Sequence, residues 1–182
     1  MTVYPTLEIP ETLAAGPGPG NTDPRVLERF AKTGVADHMQ KDVVRGMLEA
    51  KEMLRELWGT KNAYTYGVAG TGWDGLDAMH GLIMPGDKVV SFSNGTFSSI
   101  DDLTIRMKAS SAEDLAADSL NPKPANVITI TVPHGQSVTG EMVEKALAEH
   151  KPMWAFMSHW QTGSVRIHDI QCLPDACPQP GA

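Results

Sequence analysis

Residues 70–75 read Gly-Thr-Gly-Trp-Asp-Gly, a literal G-x-G-x-x-G string. Glycines let an anion approach the backbone closely. If a helix opens at this point, its first N–H groups are unpaired and carry partial positive charge. Thr71 would add a hydroxyl to that donor set. Three readings compete: a dinucleotide fingerprint, a cradle for a single phosphate, and a ligand-free strand-to-helix turn of the kind common in α/β folds. A dinucleotide fold makes two further demands. The turn should belong to the first βαβ unit, and an acidic residue should end the next strand to hold a ribose hydroxyl. Here residues 1–69, with a long helical pattern, come first, and the following strand ends Ser91-Phe92-Ser93-Asn94 without a carboxylate. An NAD-linked oxidoreductase is therefore a distant alternative.

Other residues with chemical potential are scattered. Phe97 follows an Asn94-Gly95 turn, and Ser158-His159-Trp160-Gln161-Thr162 combines hydroxyls with a histidine. Taken singly, Phe97 reads as ordinary core, His159 as a structural histidine and Thr162 as a helix cap. His38, His134 and His150 carry no assignment. The histidines and carboxylates do not form a spaced ligand set, so no metal is implied. The two cysteines, Cys172 and Cys177, fit neither a C-x-x-C redox motif nor a zinc knuckle and read as reduced thiols.

The elements that must position these residues follow from periodicity. Prolines 5, 10, 17, 19 and 24 forbid a continuous helix over residues 1–25, which read as an extended arm with a fixed turn at Gly16–Gly20. Asp23-Pro24 marks a helix start, with Asp23 as N-cap and Pro24 at the first position. Helical spacing of Val43, Val44, Met47, Leu48, Leu54, Leu57 and Trp58 predicts a helix over 41–58, stopped by Gly59. A strand is expected at 63–69, a helix from about Thr71 to Ile83, a strand at 88–93 and a helix near 97–108. The segment 109–126 starts helical and becomes a loop. A strand at 126–132, a helix at 140–150, a buried strand at 153–158 and a short helix near 169–177 complete the pattern. Strands alternating with helices predict an α/β fold, three-layer, with a mostly parallel central sheet. A net charge of −7 with no dense Lys/Arg stripe argues against nucleic acid or an anionic membrane surface. No apolar run reaches membrane-spanning length, and the N-terminus lacks a secretory pattern, so a cytoplasmic location is expected.

Several segments, in order, resemble the class V (fold type I) pyridoxal-phosphate aminotransferases of the alanine/serine–glyoxylate group. These are the Gly-Pro-rich arm "GPGPGNTDPRVL", the run from "MLEAKEMLRELWG" through "GVAGTGWDGLDAMHGLIMPGDKVVSFSNGTFS", and "ALAEHKPMWAFMSHWQTGS". The resemblance covers nearly the whole chain and favours the single-phosphate reading of the glycine turn. It implies that Thr71, Gly72 and Trp73 hold the cofactor phosphate and that Phe97 stacks on the pyridine ring, where the family often has tryptophan. It also implies that Thr162 supplies a hydroxyl beside the ring oxygen and that Gly18, Pro19 and Gly20 form the arm approaching the substrate. Residues 1–25 would then be an N-terminal arm, and 26–182 an incomplete large domain without its C-terminal part and small domain.

The resemblance also defines what these residues do not supply. The family's ring-nitrogen aspartate and Schiff-base lysine follow the "DAC" segment, and its substrate-carboxylate arginine comes later still. None of the chain's lysines occupies a comparable position. The implied reaction is amino transfer from a small amino acid such as alanine or serine to a 2-oxo acid such as glyoxylate or pyruvate. No catalytic residue lies in the chain itself, and a second polypeptide would carry the lysine. A homodimer or pairing with a C-terminal half is expected. The alternative is a truncated, non-catalytic remnant or interaction module.

Overall fold

The computed structural model describes residues 10, 12–13, 20–32, 37–163, 166–170 and 172. They fall into two units, Met1–Ala69 and Gly70–Ala182.

In the first unit, helix α1 (Pro24–Lys32) starts as expected: the Asp23 carboxylate accepts the Arg25 N–H at 2.8 Å, and the proline occupies the first helical position. Helix α2 spans Lys41–Trp58, and Gly59 closes it in the left-handed region (φ 61°), where its N–H reaches the Arg55 and Glu56 carbonyls. Ion pairs Asp42–Arg45 and Glu52–Arg55 support its polar side. Its apolar residues Met47, Leu48, Met53 and Leu57 are exposed. The strand expected at 63–69 does not form, and Tyr64, Tyr66 and Val68 are exposed there. A strand exists only by pairing with a neighbour, and this segment has no hydrogen-bonded partner strand among the described residues.

The second unit is built on a parallel three-stranded sheet in the order β2-β1-β3: β1 (Val89–Ser93), β2 (Val127–Thr131) and β3 (Trp154–Met157). Val89 is in register with Val127 on one side and Trp154 on the other. Because β1 is central, every one of its residues is buried, whereas β3, expected to be buried, is only half-buried at the sheet edge. Side-chain alternation sends Val90, Phe92, Ile128, Ile130 and Met157 to one face, against Val143 and Ala146 of α6 (Gly140–His150). Val89, Val127, Trp154 and Phe156 face the other way, against Ile105 and Ala109 of α4 (Thr96–Ala109) and Ile83 beyond α3 (Gly72–His80). Helices therefore cover both faces, giving the three layers expected from the sequence. A short α5 (Ala112–Ala117) precedes the loop into β2.

The two ends of the sheet differ in kind. At the amino end, Asp87 accepts the Met84 N–H and the Trp154 indole N–H, each at 2.9 Å, while Asn126 donates to the Asp87 carbonyl. These bonds tie all three strands together. At the carboxyl end, β1 runs into the Asn94-Gly95 turn and α4. A small antiparallel hairpin unforeseen by periodicity, β4 (Trp160–Gln161) with β5 (Arg166–Ile167), follows β3. Two-residue strands are too short to leave an alternation signal. Of the helix expected near 169–177, only residues 169, 170 and 172 lie within the described part, and Cys177 lies outside it.

Among the described residues, no helix is long and apolar enough to cross a membrane.

Candidate cofactor cradle at the carboxyl end of the sheet

The glycine string opens α3, with Thr71 as its N-cap and Gly72 and Trp73 as its first two residues. Their N–H groups have no intrahelical carbonyl to bond. A Cβ added to Gly72 would meet nothing within 4 Å, so the backbone is open to an approaching group. Gly70 is different: a Cβ there would lie 2.5 Å from the Asp74 Oδ2, so the turn needs glycine for space.

Asp74 completes a capping box. Its Oδ2 accepts the Thr71 N–H at 2.5 Å and the Thr71 hydroxyl at 2.9 Å. The Thr71 hydroxyl first, then the Thr71 N–H, hold the Asp74 carboxyl below the usual carboxylate range. The chain's own carboxylate thus uses both Thr71 donors. What the turn presents outward is the pair of N–H groups at Gly72 and Trp73 with the helix dipole behind them.

The Trp73 and Phe97 rings stand 6.2 Å apart, tilted by 34°, and are 39% and 46% exposed. The structure therefore brings Trp73 together with Phe97, the second residue of α4. Phe97 is not the ordinary core residue that one bland reading offered. Thr162 follows β4 directly and is half-buried in the hairpin turn. His134, unassigned from sequence, lies beside that turn, with its Nε2 3.4 Å from where a Cβ on Gly163 would sit. Gly18 and Pro19 lie outside the described residues. Gly20 is described and exposed in the first unit.

Beneath Phe97 lies a polar cluster that no local motif announced. The Ser98 hydroxyl accepts the N–H groups of Asn94 at 2.9 Å and Gly95 at 3.0 Å, capping α4. Gln161, fully buried, donates from Nε2 to the Asn94 Oδ1 and the Ser98 Oγ, both at 3.2 Å. Asn94 Nδ2 in turn meets the buried His168 Nε2 at 2.5 Å. Gly95 packs flat against the Gln161 carboxamide, and a Cβ there would fall 2.3 Å from the Gln161 Cδ. These partners are 63–74 residues apart in sequence. No spacing rule could have paired them, and Asn94-Gly95 reads by itself as nothing more than a turn. A second buried group, His80, lies edge-on to Phe156 and 3.2 Å from Asp101, on the α3–α4 side and outside this cluster.

The donor set fits a phosphate. Two helix-terminal N–H groups face outward across a glycine with open space, an aromatic pair stands beside them, and a hydroxyl-bearing turn closes the same end of the sheet. Parallel α/β sheets hold ligands outside the carboxyl ends of their strands.

This parallel sheet with helices on both faces resembles the N-terminal region of aminotransferase fold type I. The homologues and structural neighbours are alanine–glyoxylate aminotransferase-like class V enzymes, and the match is to their N-terminal part. Rat alanine–glyoxylate aminotransferase is 30% identical over 172 residues, covering 94% of this chain and 38% of the rat protein. The (S)-ureidoglycine–glyoxylate transaminase of Bacillus subtilis is 30% identical over 162 residues, covering 88% of this chain and 35% of that protein. The structure of alanine–glyoxylate aminotransferase from Nostoc sp. superposes with a TM-score of 0.78 at 25% identity, over 97% of this chain and 44% of that one. The chain spans about 38% of the length of the first mammalian relatives it matches. No family model matches it. Aminotransferases of this class depend on pyridoxal phosphate and act on amino acids and keto acids.

Proposed function

We propose that this chain forms the cofactor-phosphate and ring-contact portion of a pyridoxal-phosphate-dependent aminotransferase. The proposed reaction moves an amino group from a small amino acid of the alanine or serine type to a 2-oxo acid such as glyoxylate or pyruvate. One observation carries the reading: the open N-terminus of α3 and the Phe97-bearing start of α4 meet at the carboxyl end of the parallel sheet, with Trp73 and Phe97 6.2 Å apart.

The Gly72 and Trp73 N–H groups would take the phosphate, and Thr71 would join them once its hydroxyl rotates away from Asp74. Phe97 would lie against the ring face, a smaller platform than the tryptophan frequent in the family. Thr162 would present its hydroxyl to the ring oxygen. Gly18, Pro19 and Gly20 would line the substrate side. When bound, the cofactor supplies an electrophilic carbonyl and an electron sink for amino transfer. The covalent lysine, the ring-nitrogen carboxylate and the substrate-binding arginine would come from residues other than these 182, on the remainder of a longer chain or on a second polypeptide. The exposed apolar side of α2 supports association with such a partner or with a second copy. The reading carries a soluble, cytoplasmic enzyme with it.

Titration of the purified chain with pyridoxal phosphate and with pyridoxal, followed by tryptophan fluorescence, tests the site. The phosphate form is expected to bind at least about tenfold more tightly, in keeping with charge-assisted bonds at a helix terminus. Equal affinity for the two would overturn the cradle. Sequencing the transcript beyond codon 182 distinguishes a longer reading frame from a separate polypeptide.

A further inference from the structure

We infer that Gln161 is a positioning residue of this site, joining the turn that carries Thr162 to the turn that carries Phe97. The inference rests on the cofactor reading above and adds to it the residue that sets the spacing of the ring contacts.

The two ends of one carboxamide reach both turns. Gln161 Oε1 accepts the Gly163 N–H at 3.4 Å, closing the turn with Thr162 at its apex. Gln161 Nε2 donates to Asn94 Oδ1 and to Ser98 Oγ, and the Ser98 hydroxyl also caps α4 one residue from Phe97. The amide is fully buried, so water cannot replace a lost partner, and a donor left unpaired there is costly. Its position is enforced from the other side by Gly95, whose missing side chain makes room for it. The hairpin's second arm reaches the same pivot, since His168 contacts the Asn94 amide nitrogen. Moving Gln161 therefore shifts Thr162 and Phe97 relative to each other. The phosphate turn at residues 70–74 is held separately, by Asp74, and has no bond to this amide. Ring contact and phosphate contact are thus controlled by different residues.

That separation is testable in the full chain. Gln161→Glu preserves size but replaces the donating end with an oxygen facing the Asn94 oxygen. Affinities are measured for pyridoxal phosphate and for inorganic phosphate, the latter through the amide shifts of Gly72 and Trp73. The variant is expected to lose about tenfold in pyridoxal phosphate affinity and to keep its inorganic phosphate affinity within about twofold. Ser98→Ala, which leaves Gln161 in place and removes one of its acceptors, is expected to move the same ratio by a smaller factor if the first variant folds poorly. An unchanged ratio in both variants, or equal losses for both ligands, would overturn the inference while leaving the cradle intact. Failure of the unmodified chain to bind pyridoxal phosphate would overturn the cofactor reading and this inference with it.

Discussion

Two glycine-bearing turns start helices at the same end of the sheet, and they are built on opposite principles. The 70–75 turn lies at the surface and satisfies itself: Asp74, three residues on from the cap, takes both Thr71 donors. The Asn94-Gly95 turn has its N–H groups capped by Ser98, and its buried Asn94 side chain is satisfied by residues far along the chain, Gln161 and His168. The first is a local device whose spare donors point outward. The second adds a tertiary device, the Asn94 carboxamide, whose two ends are turned inward. A surface turn of the first kind can take up an anion without disturbing the core. A turn of the second kind can only hold its neighbours in place.

Substitutions at the two glycines should separate these roles most strongly. Gly95→Ala forces the buried Gln161 out of its bonds, and a loss of about 3 kcal/mol is expected in urea denaturation. The backbone at Gly95 is extended, so this cost comes from space and not from conformation. Gly70→Ala displaces the Asp74 side chain from Thr71 at a backbone φ of 158°, but that side chain is exposed and can turn to water, so about 1–2 kcal/mol is expected. Equal costs at the two positions would erase the contrast between an enclosed and an open turn.

Asp74→Asn tests the surface turn from the other direction. It removes the negative charge beside the proposed phosphate site, and inorganic phosphate binding is expected to strengthen roughly threefold in an NMR titration. The same change weakens the cap of α3, so tighter binding should accompany a more frayed helix start. The smallest effect is with pH. Because the folded-state pKa of Asp74 lies below its ordinary value, the charged cap stabilises α3 above that ordinary value. The contribution is lost as pH falls through the folded-state pKa. The Thr71 amide shift should be constant from about pH 7 to about pH 5 and move only below about pH 4. In Asp74→Asn the movement should vanish. Asp114, which accepts the Ser111 N–H and hydroxyl at the start of α5 and is likewise depressed, provides an internal control away from the site.

What could be read without a structure follows the range of the interactions involved. The boundaries of α2 were legible because the apolar spacing and Gly59 are signals within the helix itself. The parallel alternation was legible because each strand's pattern reports its own two faces. The expected strand at 63–69 failed for the converse reason. Its pattern suits a pleated surface, but pairing depends on a neighbour the pattern cannot supply. The glycine turn, Phe97 and Thr162 were singled out through residue order, whereas Gln161 and His168 were missed because their partner, Asn94, is 67 and 74 residues away.

Residue order was enough to set the local devices: helix starts and stops, the α/β alternation, and a glycine turn whose N–H groups suit an anion. These depend on residues within a turn or two of each other, where chain geometry leaves few alternatives. The Thr71–Asp74 capping box belongs with them, its partners three residues apart, and it leaves Gly72 and Trp73 as the outward-facing donors. Only the folded arrangement of the whole unit places Trp73 beside Phe97 and joins the turns bearing Phe97 and Thr162 through one buried amide. Such contacts arise only when the parallel strands carry distant segments to one edge of the sheet, and burial then makes each hydrogen bond there costly to lose.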